Sequence, residues 1–422
     1  MNTDWLDPEH HFPDQVLHSP LTITTYPTTS NQHKLISLSD QPAFDLIVIG
    51  SGGGPFEDNL SSYFLKSKRQ RWKDGFTALE AGSGFGALTR LLDTPSTLNG
   101  HEHGPFWDFD LPTCTTPTDA SSMSTPSSAG SCPTYPNSRL AGTIYSSLTS
   151  FCITHAHLDH IAALVLTAGA LAHTPKTVWA SPETVESLLT VFAGGLWPHL
   201  ADRTGNLPLW LRNLDLGLHT PVTICPSLTL QAWPIAHGLI TDSGYTCASV
   251  TNSPPLNIRM VQNQTVYHST AFFITDEPTD QTFLFFGDLG PDSVTGVNLN
   301  QNVWKHAFPK FLAGKLKTIF IECSYDSSRS SKLLYGHLSP PYLFEELNYF
   351  ANLIDTTSSG QLTGLNVVLI HVKDEAKPLD PTQAPEAPVR KRILDEILEL
   401  EATKFKLGCR FVMVEQGERL EF

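Results

Sequence analysis

No stretch of about 18 consecutive apolar residues occurs in the chain, so nothing in it reads as a membrane span. There is no CxxC pair, and the 7 cysteines are scattered and odd in number. Both facts argue against a disulfide framework or a cysteine-built zinc knuckle, and favour a reducing compartment. The opening residues are polar and acidic, without the basic start and apolar stretch of a secretory signal. The expected location is cytoplasmic, or also nuclear. Basic side chains are scarce: 27 Lys and Arg against 42 Asp and Glu give a formal charge of −15. A surface that acidic repels a phosphate backbone, so nucleic acid is not an expected partner. A small anionic substrate needs only a few local positive charges, which bound metal ions can provide. The densest basic stretch, Lys66–Arg71, is short and reads as a solvated loop or helix face.

What the sequence does have is apolar matter for a large core, 40% of 422 residues. Residues 1–43 are rich in Thr, Ser, Pro and His and read as a loosely packed arm. From Phe44 the pattern changes: Phe44–Gly50 is a β-branched apolar run ending in Ser51-Gly-Gly-Gly-Pro55, a buried strand and a turn. Further strand candidates are 76–82, 148–154, 177–180, 228–235, 271–275, 282–286, 318–321 and 366–370. Helical spacing marks 160–172, 339–354 and 389–406, and Ser181-Pro182 caps another helix. Residues 94–148, dense in Ser, Thr and Pro over 113–138, read as a surface insertion. No internal repeat is present. Many strands with interspersed helices predict one α/β domain over 44–422 carrying that insertion.

The strongest local signal is Thr154-His155-Ala-His157-Leu-Asp159-His160, between an apolar strand and an apolar helix. In extended backbone, residues i and i+2 point the same way, so His155 and His157 can grip one ion while Asp159 and His160 face a second. Imidazole and carboxylate are good zinc donors. A helix-start cap explains a single His well, but not three His and an Asp in six residues. Two ions need more donors. His237, Asp288 and His371 each stand just past an apolar strand, Asp288 after the small Gly287. Taken singly, such residues usually only hydrogen-bond; in this order they complete a binuclear set. His101-Glu-His103 and His10-His11 lack a strand context and read as incidental.

This order and these contexts resemble the metallo-β-lactamase fold, an α/β αββα four-layer sandwich with two metals at one sheet edge. The resemblance implies that His155, His157 and His237 hold one ion, that Asp159, His160 and His371 hold the other, and that Asp288 bridges them. The fold's early DAG-type strand end stands here as Glu80-Ala81-Gly82. Within the fold, His155-Ala-His-Leu-Asp-His160-Ile resembles the signature of the class II cyclic-nucleotide phosphodiesterases, the fungal low-affinity cAMP enzymes. Other segments are similar too, among them Gly195-Leu-Trp-Pro198, Tyr267–Phe273, Phe286–Asp292, Phe320–Tyr325, Tyr335-Gly-His-Leu338 and Val368–Lys373.

That family implies hydrolysis of cAMP, and of cGMP with it, to 5′-monophosphates. The expected cofactors are two divalent ions, zinc by default and Mn²⁺ or Fe²⁺ as alternatives. Paired metals acidify a bridging water and stabilise phosphate charge, which suits the reaction; Asp159 counts among the catalytic groups. His337 is the candidate proton donor to the leaving 3′-oxygen, with Glu322 orienting it; the alternatives are a structural loop residue and a surface or capping carboxylate. Gly53, Gly54, His268, Ser269 and Thr270 are candidate substrate contacts, against ordinary turn chemistry. The rivals are a tRNase Z-like endonuclease, a non-catalytic cyclic-nucleotide-binding relative, and thioester or lactam hydrolysis. A homodimer is compatible with the sequence, which leaves the oligomeric state open.

Overall fold

The computed structural model describes residues 35–93, 104–109, 136–171, 173–217, 220–240, 258–261, 264–354, 358–376 and 386–422. Among these, a nine-stranded sheet faces an eight-stranded one. The first sheet runs Leu35–Ser37, Arg419–Glu421, Phe44–Gly50, Ser62–Ser67, Phe76–Leu79, Leu148–Ile153, Lys176–Ala180, Leu209–Asn213, Ala201–Asp202. The second runs Arg410–Met413, Asn366–Ile370, Leu316–Glu322, Gln281–Phe286, Gln264–Asp276, Leu228–Ile240, Val222–Cys225, with Ile258–Val261 also paired to Gln264–Asp276.

Period-two alternation along doubly buried strands generates the layers. Leu46, Val48 and Leu65 of the first sheet meet Phe272, Ile274, Phe283 and Phe320 of the second in a core between the sheets. Their neighbours Ile47, Ile49 and Phe64 point outward, against helices Phe85–Asp93, Asn137–Ser147 and Leu158–Thr167. On the far side Leu284, Ile319, Ile321 and Val367 pack under helices Leu299–Leu312, Pro340–Ile354 and Val389–Leu400. The result is a four-layer αββα sandwich, the architecture that the resemblance implies.

Several expectations shift at their edges. The arm does not run unstructured to residue 43: Leu35–Ser37 pairs in parallel with Arg419–Glu421, and Ile36, Leu38 and Ala43 are buried. The part before Leu35 lies outside the described residues. So do residues 94–103 and 110–135 of the expected insertion, with His10, His11, His101, His103 and Cys114, Cys132 and Cys247. The insertion was drawn too wide, because Phe106 and the helix Asn137–Ser147, through Leu140, Ala141, Ile144 and Tyr145, belong to the core. Lys66 is no solvated loop cation either. It ends the strand Ser62–Ser67, and its ammonium lies 2.8 Å from Asp45, which Arg419 also grips at 2.6 Å. Arg419 extends the network to Asp108 at 2.7 Å.

The cysteines 152, 225, 323 and 409 are free. Among the described residues no helix is long and apolar enough to cross a membrane.

Candidate metal centre

The strand Leu148–Ile153 ends in Thr154, and the next turn delivers His155, His157, Asp159 and His160 as the helix Leu158–Thr167 begins. The turn is tight because Gly82 lies under it: a Cβ there would sit 2.0 Å from the Asp159 carbonyl oxygen. His237 emerges from the strand Leu228–Ile240, Asp288 follows Gln281–Phe286, and His371 follows Asn366–Ile370. All seven expected ligands converge.

Their donor atoms form two groups. His155 Nε2 lies 3.0 Å from His157 Nδ1, which lies 3.1 Å from His237 Nε2. In the second group His160 Nε2 and His371 Nε2 are 3.0 Å apart, and His371 Nε2 is 3.3 Å from Asp159 Oδ2. Asp288 Oδ2 stands between them, 3.2 and 3.3 Å from His160 and His371, 3.6 and 3.8 Å from His237 and His155.

A tetrahedral zinc with bonds near 2.0–2.1 Å sets neighbouring ligands roughly 3.3 Å apart. Donor nitrogens facing one another at such spacings fit the corners of a coordination shell. Burial drives His155 and His237 well below the usual imidazole range; His157 is exposed as a residue, but desolvation where its Nδ1 packs against those two rings lowers it to about 4, so these rings are neutral, as ligation requires. Burial also disfavours charge on His160, yet Asp288, Glu80 and Asp159 together hold its pKa well above the ordinary value. Three carboxylates around one buried ring call for positive charge, which a divalent ion delivers. The residues fit two divalent ions.

A surrounding shell fixes the rings. His155 Nδ1 faces the Thr154 hydroxyl at 3.0 Å, His237 Nδ1 the Gly336 carbonyl at 2.9 Å, and His371 Nδ1 the Ser324 hydroxyl at 3.1 Å. Glu80, at φ 61°, brings Oε2 to 3.4 Å from His160 Nδ1 and accepts the Thr154 N–H at 3.4 Å. That answers the role left open for the glutamate in the DAG-type position. Lys373, two residues beyond His371, donates to Asp159 Oδ2 at 3.0 Å and to the Gly53 carbonyl at 2.6 Å.

His337 and Glu322 are inside this shell. Both are buried, and His337 Nδ1 lies 3.0 and 3.1 Å from the two Glu322 oxygens. Glu322 also accepts the Leu289 N–H at 2.9 Å and the Ser324 hydroxyl, so it is neither a surface group nor a cap.

The substrate-contact expectations divide. Gly53 backs a ligand: a Cβ there would meet His371 Cε1 at 2.4 Å. Gly54, at φ 94°, accepts the Asp374 N–H at 3.1 Å. Ser269 and Thr270 are both buried, Ser269 behind His155 at 3.5 Å from its Nδ1. His268 is only partly buried. Sequence reasoning passed over Thr154, Ser324 and Lys373 as site residues. The i, i+2 spacing of Lys373 from His371 was the available signal for one of them. Tyr267 stacks on the exposed His157 ring at 4.5 Å and 10°.

The family model of class-II cAMP phosphodiesterases matches residues 94–417. A 3′,5′-cyclic-nucleotide phosphodiesterase of Aliivibrio fischeri is 27% identical over 388 residues, covering 90% of this chain and 93% of that protein. The 3′,5′-cyclic-nucleotide phosphodiesterase 1 of Saccharomyces cerevisiae is 26% identical over 364 residues, covering 80% of this chain and 90% of its own. Unliganded yeast PDE1 superposes with a TM-score of 0.67 at 22% identity, over 90% of this chain and 100% of that one, which speaks to the fold.

Proposed function

Because the chain belongs to the class-II cAMP phosphodiesterase family, we propose that it hydrolyses 3′,5′-cyclic nucleotides, cAMP and cGMP, to 5′-monophosphates. The observation that carries the reading is Asp288 Oδ2, within 4 Å of nitrogens from both histidine groups, at 3.2 Å on one side and 3.6 Å on the other. One carboxylate oxygen so placed would be shared by two cation sites, which would then act as a single reaction centre. The divalent ions, zinc in our reading, supply when bound an acidified water and charge neutralisation on the phosphate oxygens.

The chain's own groups do the rest. Exposed His157 and half-buried Asp159 mark the open side, while His155, His160, His237 and His371 close the floor. His337 carries the proton for the departing 3′-oxygen. Its Nδ1–H is spent on Glu322, which stabilises the imidazolium, and among the described residues its Nε2 makes no hydrogen bond. Lys373 adds a positive charge beside Asp159 that helps an anionic diester approach a protein of net charge −15.

The test is purified protein with cAMP and the product resolved as 5′- or 3′-monophosphate. We expect the 5′-product, its loss on chelation and its return with Zn²⁺. His157→Ala should lower the rate by roughly 10³-fold or more, about 4 kcal/mol of barrier. Release of the 3′-monophosphate, or turnover indifferent to chelation, overturns the reading.

A further inference from the structure

Beside His337 the chain builds a stack that the metal chemistry does not use. The guanidinium of Arg329 lies over the Tyr325 ring at 4.0 Å and over the Tyr335 ring at 5.6 Å. Tyr325 in turn meets the His337 ring edge-on at 5.9 Å. Arg329 is held in plane by donating Nε–H to the Leu333 carbonyl at 2.7 Å. Among the described residues, no acceptor engages its terminal amino groups.

Tyr335 is conspicuous for two reasons. Its ring is 66% exposed, and its backbone holds φ 52°, left-handed and unfavourable for an aromatic residue. The strain is imposed by the next residue, Gly336, whose carbonyl fixes His237 Nδ1 at 2.9 Å. The same turn therefore sets one metal ligand, the candidate proton donor and an aromatic ring turned out to solvent. Strain that persists beside a reaction centre, presenting apolar surface to water, needs a use.

A cyclic nucleotide whose 3′-oxygen faces His337 carries its base a ribose length away, at the rim. We infer that Tyr335, Arg329 and Tyr325 form the nucleobase platform of this site, an inference that rests on its reading as a cyclic-nucleotide phosphodiesterase. The tyrosine face stacks on the base, whichever it is. A locked guanidinium with open amino groups matches two adjacent acceptors, which guanine offers at O6 and N7, whereas the same edge of adenine sets N7 beside the N6 amino donor. Tyr335 thus acts on both nucleotides and Arg329 favours cGMP.

The experiment compares cAMP, cGMP and a base-free analogue, methyl ribofuranoside 3′,5′-cyclic phosphate, on wild type, Tyr335→Ala and Arg329→Met. Tyr335→Ala should raise KM for both nucleotides by about 5–10-fold. Arg329→Met should raise KM for cGMP by about tenfold, and by less for cAMP. Both effects should appear in KM rather than kcat, and both should vanish on the base-free substrate. Unchanged KM values, or equal losses with and without a base, overturn the platform while leaving the phosphodiesterase intact. Wild type that cleaves the base-free diester but neither nucleotide overturns both.

Discussion

Lys373 places an ammonium, three-quarters buried, between the Gly53 carbonyl at 2.6 Å and Asp159 Oδ2 at 3.0 Å. The same Asp159 oxygen lies 3.3 Å from His371 Nε2, so the lysine fixes the carboxylate where, with His160 and His371, it would hold a divalent ion. Partners of this kind are worth about 10–100-fold in metal affinity. Lys373→Met should therefore weaken the ion on the Asp159, His160 and His371 side by that factor and leave the other site intact. Metal retained per chain after dialysis against graded chelator measures it, and Lys373→Arg should keep most of the affinity. Two ions held by the methionine variant as tightly as by wild type would rule this out.

At the level of elements, the ligand His237 sits in the strand Leu228–Ile240 where a contact between two glycines fixes the neighbouring turn. A Cβ on Gly238 would lie 2.7 Å from Gly336 Cα, and one on Gly336 would lie 1.9 Å from the His237 carbonyl oxygen. Both glycines have positive φ, 105° and 83°. Gly336→Ala must push the turn away from His237 and loosen its Nδ1 contact. We expect metal affinity on the His155, His157 and His237 side to drop by about 10–100-fold, with a lower Tm, both read on the same preparation. An alanine variant with wild-type metal content and Tm would contradict the clamp.

The buried strands were legible because burial on both faces makes them continuous apolar runs: Phe44–Gly50 and Asn366–Ile370 have the bounds the sequence suggested. His155 to His160 was legible because four donors fall within six residues. Helix Asn137–Ser147 was hidden by its polar flank, since only four of its residues face the core and the stretch before it is dense in Ser, Thr and Pro. Ser324 and Thr154 act through single hydroxyls on ring nitrogens, which no local pattern distinguishes from ordinary turn residues. The Arg329 stack lies within one irregular connection, residues 323–339, whose turns bring Tyr325, Arg329 and Tyr335 together without any helical or strand period to mark them.

At the scale of the molecule the described chain ends meet: Arg419–Glu421 is inserted between Leu35–Ser37 and Phe44–Gly50, and Phe422 stacks on Phe44 at 5.3 Å. The insertion is locked by charge. Asp45 is fully buried, and burial pushes its pKa up, but Arg419 at 2.6 Å and Lys66 at 2.8 Å hold it below the ordinary 3.8. A carboxylate with a lowered folded-state pKa adds stability that is complete above the unfolded value and is lost as pH falls through the folded one. Arg419→Met removes that partner and leaves a buried charge short of compensation, a loss of about 3–5 kcal/mol at neutral pH. As pH falls below 3.8 the unfolded chain takes up the Asp45 proton first and the folded protein follows only at its lower value, so wild type forfeits the contribution across that window and the gap between the two proteins should narrow. Thermal unfolding of chelator-treated wild type and variant, followed from pH 7 downward, measures the gap without interference from metal release. A gap that held constant through the acid range would mean that Arg419 supports the sheet by packing over Trp72 and Trp107, at 5.7 and 5.0 Å, and not by its pairing with Asp45.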